Sequence, residues 1–271
     1  MPEIRIDPLS GYRAIVAADA GGAGNGALRT LLAPDAPAPA AGANPELFWA
    51  GAARGAHERI EIVPGRTARL AELSAAQVVD AVQRWRERMR AQASAACLHL
   101  TLDEPGAGGS FAELYALDFV PAAIARERER FGAYAARTMG GNLLGDLVQH
   151  EVRLRDRIVA IDSEAVLMAP YGSRAPYQLL LAPRTPRLRF EDDGPTGAAL
   201  LHDGLCRLAR ALGGSPPLSL WVRTAPSGAE QFCWRIDVLP RLTAPAGFEL
   251  GTGVGLDAIS PERAAAALRD A

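Results

Sequence analysis

The stretch GGSFAELYALDFVP, residues 108–121, is a glycine-rich turn that runs into an alternating strand. Glycine lets the backbone of such a turn approach a phosphate closely, because it adopts conformations that other residues rarely reach. Chemistry on that phosphate would also need a nucleophile or a base. The stretch offers only Ser110, Glu113 and Asp118 for this task. It therefore leaves open where a reactive group would lie.

Cysteine and histidine, which often act as nucleophiles or metal ligands, are few and scattered. They are Cys97, Cys206, Cys233, His57, His99, His150 and His202. The cysteines form no C-x-x-C pair, and no two histidines have the spacing of an H-x-H or H-E-x-x-H metal site. Cys97 and His99 share one face of a predicted strand, but about 7 Å separates such positions, which is too far for direct proton transfer.

The segment FCWRIDVLP, residues 232–240, has the alternation of a strand. Alternation predicts that Phe232, Trp234, Ile236 and Val238 face a core, while Cys233, Arg235 and Asp237 face the other side. Arg235 carries a positive charge and no usable lone pair, so this face would repel a metal cation. Two interpretations remain: a surface contact between Arg235 and Asp237, or an anion site shared with Arg223 on a neighbouring strand.

Composition excludes several classes of protein. The 271 residues suffice for one large or two small domains, and a net charge of −2 excludes a basic nucleic-acid footprint. All 29 basic residues are arginine, which excludes Schiff-base chemistry and a P-loop lysine. No window approaches about eighteen consecutive apolar residues, and MPEIRIDPLSG lacks a signal-peptide core. We expect a cytoplasmic protein that binds neither nucleic acid nor membrane.

Two segments with the same order of elements must position these residues. Each has a strand, a helix with an apolar stripe, a second strand, a turn and a third strand. The same offset of 119 residues separates Pro64 from Pro183, which end the first strands, and Pro121 from Pro240, which end the last. This registration predicts duplicated α+β units with antiparallel sheets, joined by a charged helical segment over residues 121–160.

The first of these helices has clear signals. Ser74 and Gln77 predict a capping box at its start, and Val78, Val82, Trp85 and Met89 form its buried stripe. We expect the arginines between them to lie on the solvated side. These arginines are Arg84, Arg86, Arg88 and Arg90.

Several stretches resemble the galactose-1-phosphate uridylyltransferase family of the histidine-triad superfamily, which also includes nucleotide-sugar phosphorylases. IRIDPLSGYRAIVA (4–17) resembles the opening strand pair, GAHERIEIVP (55–64) the next strand, and ALDFVPAAIARERERF (116–131) the segment after the active site. DRIVAIDSEAVLMAPYGSRAPYQLLLAPR (156–184) and FCWRIDVLPRLTAPAGFELGTG (232–253) resemble the second domain. The likeness covers nearly the whole chain.

The resemblance implies an α+β fold of two tandem histidine-triad-like domains with antiparallel sheets and crossing helices, here residues 1–135 and 136–271. It also implies a ping-pong transfer, in which a histidine attacks the α-phosphate of a nucleotide sugar. That histidine belongs to a segment like G-A-S-L-x-H-x-H-x-Q. Here the chain passes from Ser110 through two residues to Glu113, which matches the glutamine, so the H-x-H part is deleted and no catalytic residue is assigned.

The family's metal ligands are also changed. By the resemblance, Arg66 stands where some family members have a histidine in the first domain, and Arg223, Cys233 and Arg235 stand at the metal histidines of the second domain. Only the acidic ligand of that metal set is kept, as Glu127. One carboxylate cannot hold a transition metal against water, so we expect neither a metal nor another cofactor.

Positions on the substrate side are better preserved. By the resemblance, Ser110 faces the phosphates, Asp103 lies near the nucleotide, and Phe248 and Glu249 contact the hexose, although core packing explains Phe248 equally well. The full predicted substrate-binding set is Asp103, Ser110, Glu113, Arg223, Arg235, Phe248 and Glu249.

The function expected from this pattern is binding without turnover. We expect a catalytically inactive homologue that retains a site for a nucleotide sugar or hexose phosphate, or for a protein partner, and that pairs as a homodimer. The alternative is an active UDP-glucose–hexose-1-phosphate uridylyltransferase, or a related nucleotidyltransferase or phosphorylase, that uses an unrecognised nucleophile.

Overall fold

The computed structural model describes residues 2–6, 8, 13–17, 32–36, 50–65, 68–104 and 110–271. The strands are β1 (Pro2–Ile6), β2 (Arg13–Ala17), β3 (Ala50–Ala52), β4 (Gly55–Glu61), β5 (Cys97–Glu104), β6 (Phe111–Leu117), β7 (Ile158–Ile161), β8 (Ala165–Met168), β9 (Leu179–Pro183), β10 (Leu218–Arg223) and β11 (Arg235–Pro240). The helices are α1 (Ala75–Ala91), α2 (Ala122–Arg137), α3 (Leu143–Leu154), α4 (Ala198–Ala211), α5 (Gly247–Thr252) and α6 (Pro261–Asp270). Within these ranges, no helix is long and apolar enough to cross a membrane.

Two antiparallel sheets organise the chain. The larger has eight strands in the order β4-β6-β5-β10-β11-β9-β8-β7, and the smaller has the order β2-β1-β3. Every pairing between named strands is antiparallel. The mixture of helices with antiparallel sheet confirms the predicted α+β class.

The strand order reflects the duplication read from the sequence. The run β4-β6-β5 is followed by β10-β11-β9, so the equivalent strands of the two segments appear in mirrored order about the β5–β10 pair. Both segments therefore contribute to one continuous sheet. The boundary expected between residues 135 and 136 falls inside α2, which ends at Arg137.

Helix α1 forms largely as the sequence predicts. Ser74 Oγ accepts from the Gln77 amide at its N-terminus, and the Gln77 side chain completes the capping box. Val78, Val82, Trp85 and Met89 are all buried.

The arginines of α1 do not all lie on the solvated side, so that prediction is wrong for Arg86. Arg86 is 2% exposed, not solvated. Positions two apart on a helix differ by about 200° around its axis, so four alternate arginines cannot share one face. The Arg86 guanidinium lies over the Phe190 ring, 4.3 Å from its centroid, and donates to the Phe190 and Thr196 carbonyls of the second segment.

The two faces of the large sheet are covered differently. Helices α1 and α4 contribute to a core cluster on one face, together with Trp234, Ile236 and Val238 of the second segment. On the other face, α2 and α3 cover one end, and residues of the small sheet lie at the other. Phe232 packs with Cys233 in the α2–α3 cluster, so the alternation predicted for Phe232 is wrong. Strand β11 begins only at Arg235, and alternation does not apply before it.

Candidate functional site

Between α2–α3 and the small sheet, the second face of the large sheet carries polar side chains in three transverse rows, defined by strand register. The first row contains His57, Tyr115, His99, Arg223 and Arg235. The second contains Arg59, Glu113, Thr101, Trp221 and Asp237. The third contains Glu61, Phe111, Asp103, Ser219 and Leu239. Two residues of strand rise, about 7 Å, separate adjacent rows.

The third row leads into a cavity that we call the Glu249 cavity. The Ser219 hydroxyl donates to the Asp103 carboxylate on the neighbouring strand. Ser219 lines a cavity of about 770 Å³, together with Trp221, Arg174, Arg241 and Glu249. Neither histidine nor cysteine occurs among the residues that the structure places in this lining.

Glu249 and Phe248 lie on the short helix α5. The Glu249 carboxylate accepts from the Ala246 amide at 3.1 Å, which caps the helix, and it also faces the Glu249 cavity. Phe248 is 53% exposed and is not part of the described lining. Core packing, the alternative considered for Phe248, is therefore wrong.

Ser110 lies at the entry to β6 on the face that points toward the helices. It is 4% exposed, and its amide donates to the Ala68 carbonyl at 3.0 Å. Its buried neighbour Glu104 accepts a hydrogen bond from the Leu70 amide. Burial raises the pKa of Glu104, although the Leu70 amide and the charge of Arg69 oppose the shift. No motif or spacing in the sequence predicted this buried carboxyl group.

Glu113 occupies the middle row. Its carboxylate accepts from the Tyr115 hydroxyl at 3.0 Å, and Tyr115 in turn stacks on His57, with 4.8 Å between ring centroids. Arg59, which is paired with Glu113 in register, places its guanidinium 3.5 Å from the centroid of the Phe111 ring. Glu113 is thus part of a polar network next to the edge strand β4.

Arg235, in the first row, is held by two carboxylates. It makes two hydrogen bonds to Glu127 of α2, and its Nε donates to Asp237 at 3.0 Å. Burial alone would lower the pKa of Arg235, but Asp237 and Glu127 together raise it above its usual range. The predicted contact between Arg235 and Asp237 is confirmed.

Arg223, the register partner of Arg235, has much weaker contacts. Its side chain is 19% exposed, and Nε lies 3.8 Å from Glu127 without forming a hydrogen bond. Burial lowers the pKa of Arg223, although Glu127 opposes the shift.

Arg223 also lines a second cavity of about 470 Å³, which we call the Arg223 cavity. Its other described lining residues are Ile4, Arg13, Leu32, His99, Tyr115, Leu117, Phe119, Pro121, Ala122, Ala123 and Ile124. His99 Nδ1 is buried without a hydrogen-bond partner. Burial, with a smaller effect of Arg223, lowers the pKa of His99 to about 4, so this imidazole is neutral at pH 7.

The Cys97–His99 couple gains no support as a nucleophile and base. Burial raises the pKa of Cys97 to about 11, so the thiol stays protonated at neutral pH. Its sulfur lies 3.7 Å from the Leu98 carbonyl instead of pairing with His99.

The predicted metal-ligand positions are only partly assembled. Glu127, Arg223 and Arg235 come together, while Cys233 is fully buried in the α2–α3 cluster. Arg66 lies outside the described residues. In the part of the chain that the structure describes, no three His, Cys, Asp or Glu side chains are grouped as a metal site.

The predicted substrate set is therefore divided. Glu249 lines the Glu249 cavity, and Asp103 accepts a hydrogen bond from Ser219 in that lining. Arg223 and Arg235 lie two rows away, about 13 Å along the strands. Sequence reasoning missed Trp221, Arg174 and Arg241. Trp221 follows Ser219 by two residues on an alternating strand, and that spacing could have identified it.

Curated proteins with similar sequences are galactose-1-phosphate uridylyltransferases and an ADP-glucose phosphorylase. Galactose-1-phosphate uridylyltransferase from Haemophilus influenzae is 27% identical over 162 residues, and the enzyme of that name from Cryptococcus neoformans is 30% identical over 176 residues. ADP-glucose phosphorylase from Arabidopsis thaliana is 24% identical over 170 residues. These alignments cover 58–59% of this chain. The chain spans about half the length of these relatives, 46% in each case.

Solved structures share the fold more completely. A uridylyltransferase structure superposes with a TM-score of 0.86 at 19% identity, covering 99% of this chain and 97% of the other. The Arabidopsis thaliana ADP-glucose phosphorylase with bound ADP-glucose gives 0.72 at 21% identity, covering 82% and 75%. No family model matches the sequence. The resemblance to galactose-1-phosphate uridylyltransferases predicted from the sequence is confirmed.

Proposed function

We propose that this chain binds a nucleotide sugar or hexose phosphate in the Glu249 cavity and does not transfer its nucleotidyl group. The observation that carries the proposal is the composition of that cavity. It has the volume of a small-molecule site, and its described lining contains cations and hydroxyl-binding groups but neither histidine nor cysteine.

The cavity offers a separate partner for each part of such a ligand. Arg174 and Arg241 provide two guanidinium groups for phosphate oxygens. Ser219, with the Asp103 carboxylate behind it, and Glu249 suit sugar or ribose hydroxyls. Trp221 adds an aromatic side chain to the same lining.

The side chains of strand β6 support the proposed absence of nucleotidyl transfer. The strand begins at Phe111, directly after Ser110, and carries glutamate at position 113 and tyrosine at position 115. A ping-pong reaction needs a nucleophile that attacks phosphorus and holds the nucleotide covalently. None of the side chains along β6 has a nucleophilic nitrogen.

The alternative function is transfer through a different nucleophile. The observation that favours it is His99, a neutral imidazole that lines the Arg223 cavity. A neutral ring nitrogen can attack phosphorus, whereas an imidazolium cannot.

Thermal unfolding with UDP-glucose, ADP-glucose, glucose 1-phosphate and galactose 1-phosphate tests the binding proposal. A ligand of the folded state raises the midpoint in proportion to the logarithm of its concentration. We expect at least one of these ligands to do so, and Glu249→Gln to reduce the shift. Absence of a shift for all four would contradict binding. A transfer assay with UDP-glucose and galactose 1-phosphate against boiled protein tests inactivity, and turnover would favour the alternative.

The remaining parts of the proposal concern assembly and location. Pairing of two subunits and a cytoplasmic location agree with the resemblance. Light scattering of the purified chain at several concentrations tests the pairing, and a mass of one subunit throughout would reject it.

A further inference from the structure

The Arg223 cavity combines apolar walls with an excess of positive charge. Its two charged lining residues among those described are Arg13 and Arg223, and no carboxylate is part of that lining. Among the described residues, Arg223 forms an ion pair with Glu127 at 3.8 Å, and the Glu127 carboxylate is already engaged by two hydrogen bonds from Arg235.

Arg223 itself points to a missing partner. Its side chain is largely buried and makes no hydrogen bond to any of the residues described, and its Nε is fully enclosed. Burying a guanidinium without hydrogen bonds costs free energy. An anion in the adjoining cavity would offset this cost through charge-assisted hydrogen bonds.

The rest of the cavity suits a flat apolar group. Tyr115, Leu117 and Phe119 form one wall, and the Arg13 guanidinium lies 4.4 Å from the centroid of the Phe119 ring. His99 adds a polar but uncharged group at neutral pH. The volume of about 470 Å³ is within the range of small-molecule sites.

We propose that the Arg223 cavity binds a phosphate monoester whose organic group is flat and apolar. The phosphate contacts Arg223 and Arg13, and the organic group packs on Tyr115 and Phe119. Two guanidiniums without a lining carboxylate match the two negative charges of a phosphate monoester better than the single charge of a carboxylate. The site is separate from the Glu249 cavity and does not depend on the function proposed there.

Calorimetric titration with phenyl phosphate at pH 7.5 tests the proposal, with inorganic phosphate, phenol and benzoate as comparison ligands. We expect phenyl phosphate to bind roughly tenfold more tightly than each of the others, because only it has both groups. Inorganic phosphate that binds as tightly would reject the apolar subsite. Benzoate that binds as tightly would reject the preference for two charges. No saturable binding of phenyl phosphate would reject the site.

Substitutions of lining residues test whether phenyl phosphate binds in the Arg223 cavity. Arg13→Gln changes an exposed side chain on β2, and Arg223→Gln removes the buried guanidinium; both should weaken binding of phenyl phosphate roughly tenfold. Arg210→Gln, an equal change of charge at an exposed position of α4, should leave it unchanged. Glu249→Gln should also leave it unchanged while reducing the binding of sugar phosphates. Unchanged affinity in Arg13→Gln and in Phe119→Ala would overturn the proposal.

Discussion

Arg235 on β11 holds the carboxylate of Glu127 on α2 with two hydrogen bonds, although 108 residues separate the two in sequence. This pair fixes the connecting helix to the sheet. The resemblance implies that Glu127 and Arg235 stand at positions of the family's metal ligands. In this chain the guanidinium groups of Arg223 and Arg235 lie next to the Glu127 carboxylate instead.

Glu127→Gln tests how much the contacts of Glu127 with Arg223 and Arg235 contribute to the free energy of unfolding. The change leaves two largely buried guanidiniums, those of Arg223 and Arg235, with less compensating charge. We expect the free energy of unfolding to fall by roughly 2–4 kcal/mol, measured in urea. Glu129→Gln, an exposed position on the same helix, is the matched control. Equal stability of the two variants would show that the ion pair contributes nothing.

Arg86 provides a test of the junction between the two segments. Its planar guanidinium donates to the Phe190 and Thr196 carbonyls and lies over an aromatic ring, which a lysine cannot reproduce. We expect Arg86→Lys to lower the free energy of unfolding by about 2 kcal/mol. Arg88→Lys on the solvated side should change it by less than about 0.5 kcal/mol. Similar losses in both would contradict a specific role for Arg86.

His99 should make stability depend on pH in the acid range. Its pKa is lowered to about 4 in the folded state from 6.5, so the unfolded state binds the proton more readily. The contribution of His99 to the free energy of unfolding is complete above pH 6.5. It is lost as the pH falls toward 4, which lowers the free energy of unfolding by up to about 3 kcal/mol. His99→Asn should flatten the stability profile over this interval. A profile as steep as that of the unchanged protein would place the titrating group elsewhere.

Glu104 should make stability fall as the pH rises, which is opposite to the effect of His99. Its folded-state pKa is raised above 4.5 by burial, so the protonated carboxyl is favoured by folding. Its ionisation therefore reduces stability as the pH rises from below 4.5 through the folded-state pKa. Glu104→Gln keeps an oxygen for the Leu70 amide but cannot ionise. The urea midpoint of Glu104→Gln, relative to that of the unchanged protein, should be higher at pH 8 than at pH 4. The same difference at both pH values would contradict this.

Local signals predicted much of the fold. Ser74 and Gln77 cap α1 as expected, because a capping box is an interaction between neighbours in sequence. The repeated order of elements also follows from periodic apolar residues. The continuous sheet could not be derived in this way, since it depends on the register of β5 against β10, two strands more than 100 residues apart.

The site was predicted less completely for the same reason. Asp103 was identified, but its partner Ser219 depends on the long-range pairing of β5 with β10. The burial of Arg86 and the neutral state of His99 depend on what covers each side chain. Spacing along the chain does not determine that environment.

Covalent labelling is the sharpest test of the proposal that this chain keeps the fold of a uridylyltransferase but has no nucleophile. One sample of the chain is incubated with UDP-glucose and another with ADP-glucose, each labelled at the α-phosphate. Both samples are denatured in alkali before the protein is separated from the nucleotide sugar. We expect no label on the protein above that of a boiled sample. Stoichiometric label that is stable in alkali and released by acid would identify a nucleotidyl-histidine, formed with release of glucose 1-phosphate, and would show that the chain does have a nucleophile.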